Sequence, residues 1–197
     1  MAFEDNLITI TDIQEFKPIS KNTDTDKKLN PFILEAQEFE LRPFLSDQFY
    51  MELLNQFKAS PQFPNSAYDD LFNGSTWTSG TQTYQNPGLK VVLVYYAYAK
   101  YLNRANTNST AFGMVAKNNP DSTPLTDKRL ANLVYQAESG AKAYENRVKF
   151  FLDCNSNDYP LYNCGTQNKK TGGLRISAAG GNNTNKRIYD PITKRFI

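Results

Sequence analysis

The segment Leu89 to Arg104, LKVVLVYYAYAKYLNR, restricts the fold more than any other part of the chain. Wound as a helix, it carries Leu89, Val92, Leu93, Tyr96 and Ala99 on one side and Val91, Val94, Tyr95, Tyr98, Tyr101 and Leu102 on the other. A helix apolar nearly all round has to be covered on both sides. Its longest apolar run, Val91 to Ala99, is far short of the ~20 residues that span a bilayer, so protein rather than lipid is the expected cover and no membrane partner is expected. Either further helices flank it within one domain, or one side meets another subunit. Tyrosines suit a half-wet interface, which makes Tyr95, Tyr98 and Tyr101 candidate subunit contacts.

Candidate flanking helices are present on both sides of it in the chain. Leu29, Phe32, Ile33, Ala36, Phe39 and Leu41 fall on one helical stripe, with Glu35, Glu38, Glu40 and Arg42 between them. Asn30 stands where a cap is wanted, and Pro31 is tolerable in the first turn. Pro43 is expected to end or kink this helix, and Ser46 to cap a second through Phe49, Tyr50, Leu53, Leu54 and Phe57. A short helix from about Asn65 to Phe72 ends at Gly74. Ser75 to Gly88 mixes strand and turn residues and reads as an irregular loop or short hairpin, and Ala111 to Lys117 as a second small hairpin. Thr126 is expected to cap the longest helix, Asp127 to Asp153, striped by Leu130, Leu133, Val134, Ala137, Ala141, Tyr144, Val148, Phe151 and Leu152. Gly140 within that stripe implies close approach of another helix, since glycine there costs about 1 kcal/mol relative to alanine. The expected fold is all-α: a small bundle of four to five helices with a short β-hairpin.

Past Asp153 the character changes. Residues 1–153 hold 15 basic and 18 acidic side chains, and residues 154–197 hold 7 and 2, so an acidic body of −3 carries a tail of +5. The tail has glycine and asparagine clusters and no helical stripe, and alone it could not bury enough surface to fold. It is either disordered or an arm that becomes ordered on a neighbouring chain, and the apolar residues Ile188, Tyr189, Ile192, Phe196 and Ile197 favour the arm. The basic residues Lys169, Lys170, Arg175, Lys186, Arg187, Lys194 and Arg195 could follow a phosphate backbone, or meet the acidic surface of an identical subunit. The expected organisation is an N-terminal extension (1–28), a helical body (29–153) and an extended C-terminal arm (154–197).

Chemistry is sparsely signalled. The chain has no histidine, which removes Ser-His-Asp and Cys-His pairings and His-ligated zinc. Glu35 and Glu38 share a helix face at i, i+3, yet no further ligand motif accompanies them, and a solvated face accounts for them, as for Glu40 and the Asp69–Asp70 pair. The stretch GTQNKKTGG, Gly165 to Gly173, lacks phosphate-loop order. Cys154 and Cys164 read as two free thiols, with a single small-loop disulfide as the alternative. Met1 to Ile10 contains Glu4 and Asp5 and does not read as a signal peptide. Neither an enzyme nor a cofactor is expected.

Four segments carry a resemblance: LNPFILEAQEFELRPFLSDQFYMELL (Leu29 to Leu54), TAFGMVAKNN (Thr110 to Asn119), PLTDKRLANLVYQAESGAKAYENRVKFFL (Pro124 to Leu152) and YPLY (Tyr159 to Tyr162). Together they resemble the small helical head-tail connector (adaptor) proteins of tailed double-stranded DNA phages of Bacteroidetes hosts. Asparagine and tyrosine richness points within these to crAss-like phages. The resemblance implies a structural virion protein, made in the host cytoplasm, that assembles with itself into a ring, commonly of twelve copies. Such a ring would sit at the head-tail junction between the portal protein and tail or further connector proteins, with DNA passing through its lumen without sequence-specific binding. The alternative is a monomeric DNA-binding or packaging accessory protein that uses the basic arm. The segment past Tyr162 has no counterpart in a compact connector.

Overall fold

Helix α6, Leu89–Arg104, lies at the centre of the body and packs against α2, Asn30–Ala36, and α7, Asp127–Cys154. The computed structural model describes residues 6–20, 29–104, 107–110, 113–116, 125–162, 189–190 and 195–196. In chain order these form α1 (Ile10–Phe16), α2 (Asn30–Ala36), a π turn (Gln37–Leu41), α3 (Arg42–Leu45), α4 (Asp47–Lys58), α5 (Ser66–Asn73), a hairpin of β1 (Ser75–Ser79) and β2 (Gln82–Asn86), α6, a hairpin of β3 (Thr107–Thr110) and β4 (Gly113–Ala116), α7 (Asp127–Cys154), and the strand pair β5 (Tyr189–Asp190) and β6 (Arg195–Phe196). The fold is all-α with short antiparallel hairpins. Met1–Gly165 make one compact unit and Thr166–Ile197 a second.

Part of the expected N-terminal extension packs into the core of the body. Leu7, Ile8 and Ile13 are buried. They are held by a capping box, in which the Thr9 amide donates to Asp12 Oδ2 at 2.7 Å and the Asp12 amide to Thr9 Oγ1 at 3.4 Å, and by an ion pair between Asp12 and Lys90 of α6. The body also runs beyond Asp153. Tyr159 and Tyr162 are buried against Phe49, with ring centroids 6.1 and 6.0 Å away, and Tyr159 donates its hydroxyl proton to the Ala67 carbonyl at 2.6 Å. Aromatic pairing of this kind adds to plain burial. It draws the start of the expected arm into the body.

Pro43 does not end its helix. The chain stays helical to Leu45 and breaks at Ser46, whose φ of +79° no continuing helix can adopt. A wide π turn precedes Pro43 and shifts the helical phase by about one residue. Gln37, one turn after buried Ile33, is itself buried, and past it Phe39 is 66% exposed while Leu41 turns inward. The expected caps differ in detail: Leu29 rather than Asn30 is the N-cap of α2, and neither Ser46 nor Thr126 makes a side-chain capping bond. Asn65 does cap α5, accepting from the Ala67 amide at 3.0 Å.

Two glycines tie α5 to α6. Gly74 and Gly88 have φ of +94° and +84°, and a Cβ at Gly88 would lie 2.5 Å from the Phe72 carbonyl oxygen. Buried Asn86 completes the joint, donating to the Asp70 carbonyl at 2.8 Å and accepting from the Gly88 amide at 3.1 Å. At Gly140 of α7 a Cβ would meet the Tyr95 ring at 2.7 Å, so this glycine does permit close helix approach. Beside it, Tyr96 of α6 donates to Glu145 of α7 at 2.6 Å.

Candidate assembly surface

The three candidate contact tyrosines of α6 are half-buried and have partners within the subunit. Tyr95 lies edge-on to Tyr144 of α7 with centroids 5.1 Å apart, and the Lys17 ammonium sits 3.5 Å from its ring centre. Burial lowers the Lys17 pKa against a smaller opposing effect of Tyr144. Tyr98 and Tyr101 stack at 6.5 Å, and Tyr101 meets the edge of Phe32 at 6.3 Å. Tyr95 thus serves to pack α1, α6 and α7 together, whereas Tyr98 and Tyr101 keep part of their surface at the exterior.

In the second unit the register sets Tyr189 opposite Phe196 and Asp190 opposite Arg195. These short strands pair with each other. The other expected tail residues, Lys169, Lys170, Arg175, Lys186, Arg187, Ile188, Ile192 and Lys194, lie outside the described residues, as does Cys164. Cys154 is a free, exposed thiol.

The glutamates of the first stripe each meet a different cation. Glu35 pairs with Arg104 at 3.2 Å, Glu38 with Arg42 at 2.8 Å and Glu40 with Lys100 at 2.7 Å. Asp69 accepts from Asn73 at 2.7 Å. Among the described residues no group of three or more carboxylate, cysteine or histidine side chains could hold a metal ion. Among the same residues no helix is long and apolar enough to cross a membrane.

Two surface clefts are lined by aromatic side chains. One lies where β2 meets α7, with Thr83, Tyr84, Gln85, Asn146, Arg147 and Phe150 around it. Trp77 stacks on Tyr84 at 4.9 Å behind it, and Arg147 donates to the Gln85 carbonyl at 3.2 Å. The other runs between the π turn and α7 above Tyr96, with Glu40, Tyr135, Glu138, Ser139 and Lys142 around it. Tyr135 is 70% exposed, more than any other large apolar side chain described. Sequence reading had not singled out Tyr135, and the π turn hid Phe39. The only written sign of that turn is a polar Gln37 next to Ala36 in an otherwise apolar stripe.

A family model described as a family of unknown function, DUF6712, matches residues 41–172, about two thirds of the chain. The chain belongs to this family. Its DUF6712 portion opens at the last residue of the π turn and takes in α3 to α7, the buried pair Tyr159 and Tyr162, and the first few residues of the second unit. No curated protein and no solved structure matches the chain.

Proposed function

We propose that this DUF6712 chain is a structural virion protein, a subunit of a head-tail connector ring that joins the portal to the tail and leaves a channel for DNA. One observation carries the reading. The segments that resemble connector proteins, far apart in sequence, meet in one hydrophobic core: Ile33, Leu41 and Phe49 from the first, Val148, Phe151 and Leu152 from the third, and Tyr159 and Tyr162 from the last. In this chain the resembling segments thus form one packed framework, which supports reading them together.

The body supplies the lateral contacts, and the basic tail reaches a neighbouring subunit or the portal. A head-to-tail ring needs two different patches on each copy. Large apolar side chains exposed on α1 (Phe16), the π turn (Phe39), α4 (Met51) and α7 (Tyr135, Phe150) provide material for both. Repetition around a closed ring lets weak contacts add up to a stable assembly. Native mass spectrometry of the purified protein, alone and with its portal, tests the reading. A defined closed oligomer, commonly twelve copies, is expected on the portal. A monomer that ignores the portal but binds DNA with steep salt dependence would overturn it in favour of a packaging accessory protein.

A further inference from the structure

The cleft between the π turn and α7 has the makings of a receptor for a basic, aromatic segment. Tyr135 on its wall is 70% exposed, and Phe39, next in the chain to the wall residue Glu40, is 66% exposed. Lys100 links the two, 6.0 Å from the Phe39 ring centre and bonded to Glu40 on the cleft wall at 2.7 Å. Exposed aromatic rings flanking a groove mark contact surfaces. Charge narrows the occupant.

Glu40 is neutralised by Lys100, and Glu145 beneath the cleft by Lys142 at 2.6 Å. Glu138 on the cleft wall has no cation within ion-pair distance among the described residues. Among the described residues the cleft is thus left with one unmatched negative charge, on the same wall as the exposed Tyr135. A cationic side chain followed by an aromatic or aliphatic one answers both features, through an ion pair and through cation–π or ring contact. This chain carries that pattern twice, as Lys186-Arg187-Ile188-Tyr189 and Lys194-Arg195-Phe196-Ile197, within a tail of +5 attached to a body of −3.

The geometry points to the cleft of Glu40, Tyr135 and Glu138 as the docking site for the C-terminal segment 186–197 of a second copy of this chain. The inference rests on the ring reading and names the pair of surfaces that would link neighbours. Reach is not limiting. The 29 steps of chain from Gly165 to Lys194 could span at most about 95 Å at ~3.3 Å each, against a body about 40 Å across by globular scaling.

Photo-crosslinking of the full chain tests the site. Tyr135→p-benzoylphenylalanine protein, mixed equally from isotopically heavy and light preparations, is irradiated and digested. Crosslinked peptides should join position 135 to residues 186–197, with heavy–light pairs making up about half. Glu138→Arg should cut their yield about tenfold, and adding Lys194→Glu and Arg195→Glu should restore it. Crosslinks to another segment, exclusively same-isotope pairs, or a yield unmoved by Glu138→Arg would each overturn the docking. Native mass spectrometry of the same samples separates this from the ring reading: complete rings lacking these crosslinks sink the docking alone, while tail crosslinks in a sample that stops at dimers sink the ring alone.

Discussion

Tyr96 and Glu145 join the two longest helices across 49 residues of sequence through a 2.6 Å hydrogen bond, in which the phenol donates to a carboxylate only 8% exposed. Burial, together with the bond to Glu145, raises the Tyr96 pKa, so the phenol keeps its proton. Lys142 occupies the other carboxylate oxygen at 2.6 Å. Tyr96→Phe removes the donor and leaves one oxygen of a buried anion unsatisfied. A loss of about 2 kcal/mol is expected, read as a lower urea midpoint with unchanged slope. Tyr96→Phe with Glu145→Leu should lose less than the two single changes added together, because the pair disappears as a unit.

The π turn depends on a second buried polar residue. Gln37 Oε1 accepts from the Leu7 amide at 2.7 Å, and its Nε2 donates to the Tyr50 hydroxyl at 3.3 Å, which in turn bonds Glu38 at 3.2 Å. Gln37→Leu fills the volume but orphans a buried backbone amide, at about 1–3 kcal/mol. The effect should be local. Hydrogen exchange is expected to accelerate over residues 7–17, which this bond ties to the first stripe, while α6 and α7 keep their protection.

How far the chain declares its own fold depends on how strongly each element is patterned. Helix α6 has the bounds expected of it because sixteen residues of nearly unbroken apolar character allow no other reading. Helix α1 is only seven residues long and offers too short a stripe, although its Thr9–Asp12 box is written in the sequence. Tyr159 and Tyr162 follow the end of α7 and belong to no periodic run, so their burial depends on the space beside Phe49. The candidate assembly surface is harder still to read. The change of helical phase after Gln37 leaves Phe39 outside while Leu41 is buried, and the exposure of Tyr135 reflects which helices happen to cover α7.

Alkaline pH should be the body's weakness. Burial raises Tyr50 and Tyr68 to about 12, outweighing the hydrogen bond from Gln37 in the case of Tyr50, and burial also raises Tyr159. In the unfolded chain these phenols ionise near pH 10. Between pH 10 and 12 the unfolded state sheds protons that the folded state retains, so stability falls as pH rises through that window. With no histidine, no side chain of ordinary pKa titrates between pH 6 and 8. Urea midpoints should be nearly level from pH 6 to 9 and then drop, by up to about 1.4 kcal/mol per pH unit for each such phenol. Absorbance at 295 nm should show tyrosine ionisation in two phases, the later one coinciding with loss of helical circular dichroism.

Truncation separates the body from the tail, and the position of the stop codon decides the outcome. A chain ending at Gly165 keeps Tyr159 and Tyr162 on Phe49, together with all seven α-helices of the described residues. It should retain its helical signal and its urea midpoint to within about 0.5 kcal/mol, yet form no ring on the portal, since the proposed reach to the neighbour is gone. A chain ending at Asp153 has the boundary that the apolar stripe alone would suggest. It loses both buried rings and the Tyr159–Ala67 bond. Large aromatic deletions cost about 3–5 kcal/mol each, comparable to the whole stability of many domains, so this shorter chain should be unfolded or aggregated. Circular dichroism with native mass spectrometry distinguishes the two. A Gly165 truncation that still closes complete rings would place every ring contact in the body and remove the tail from the assembly.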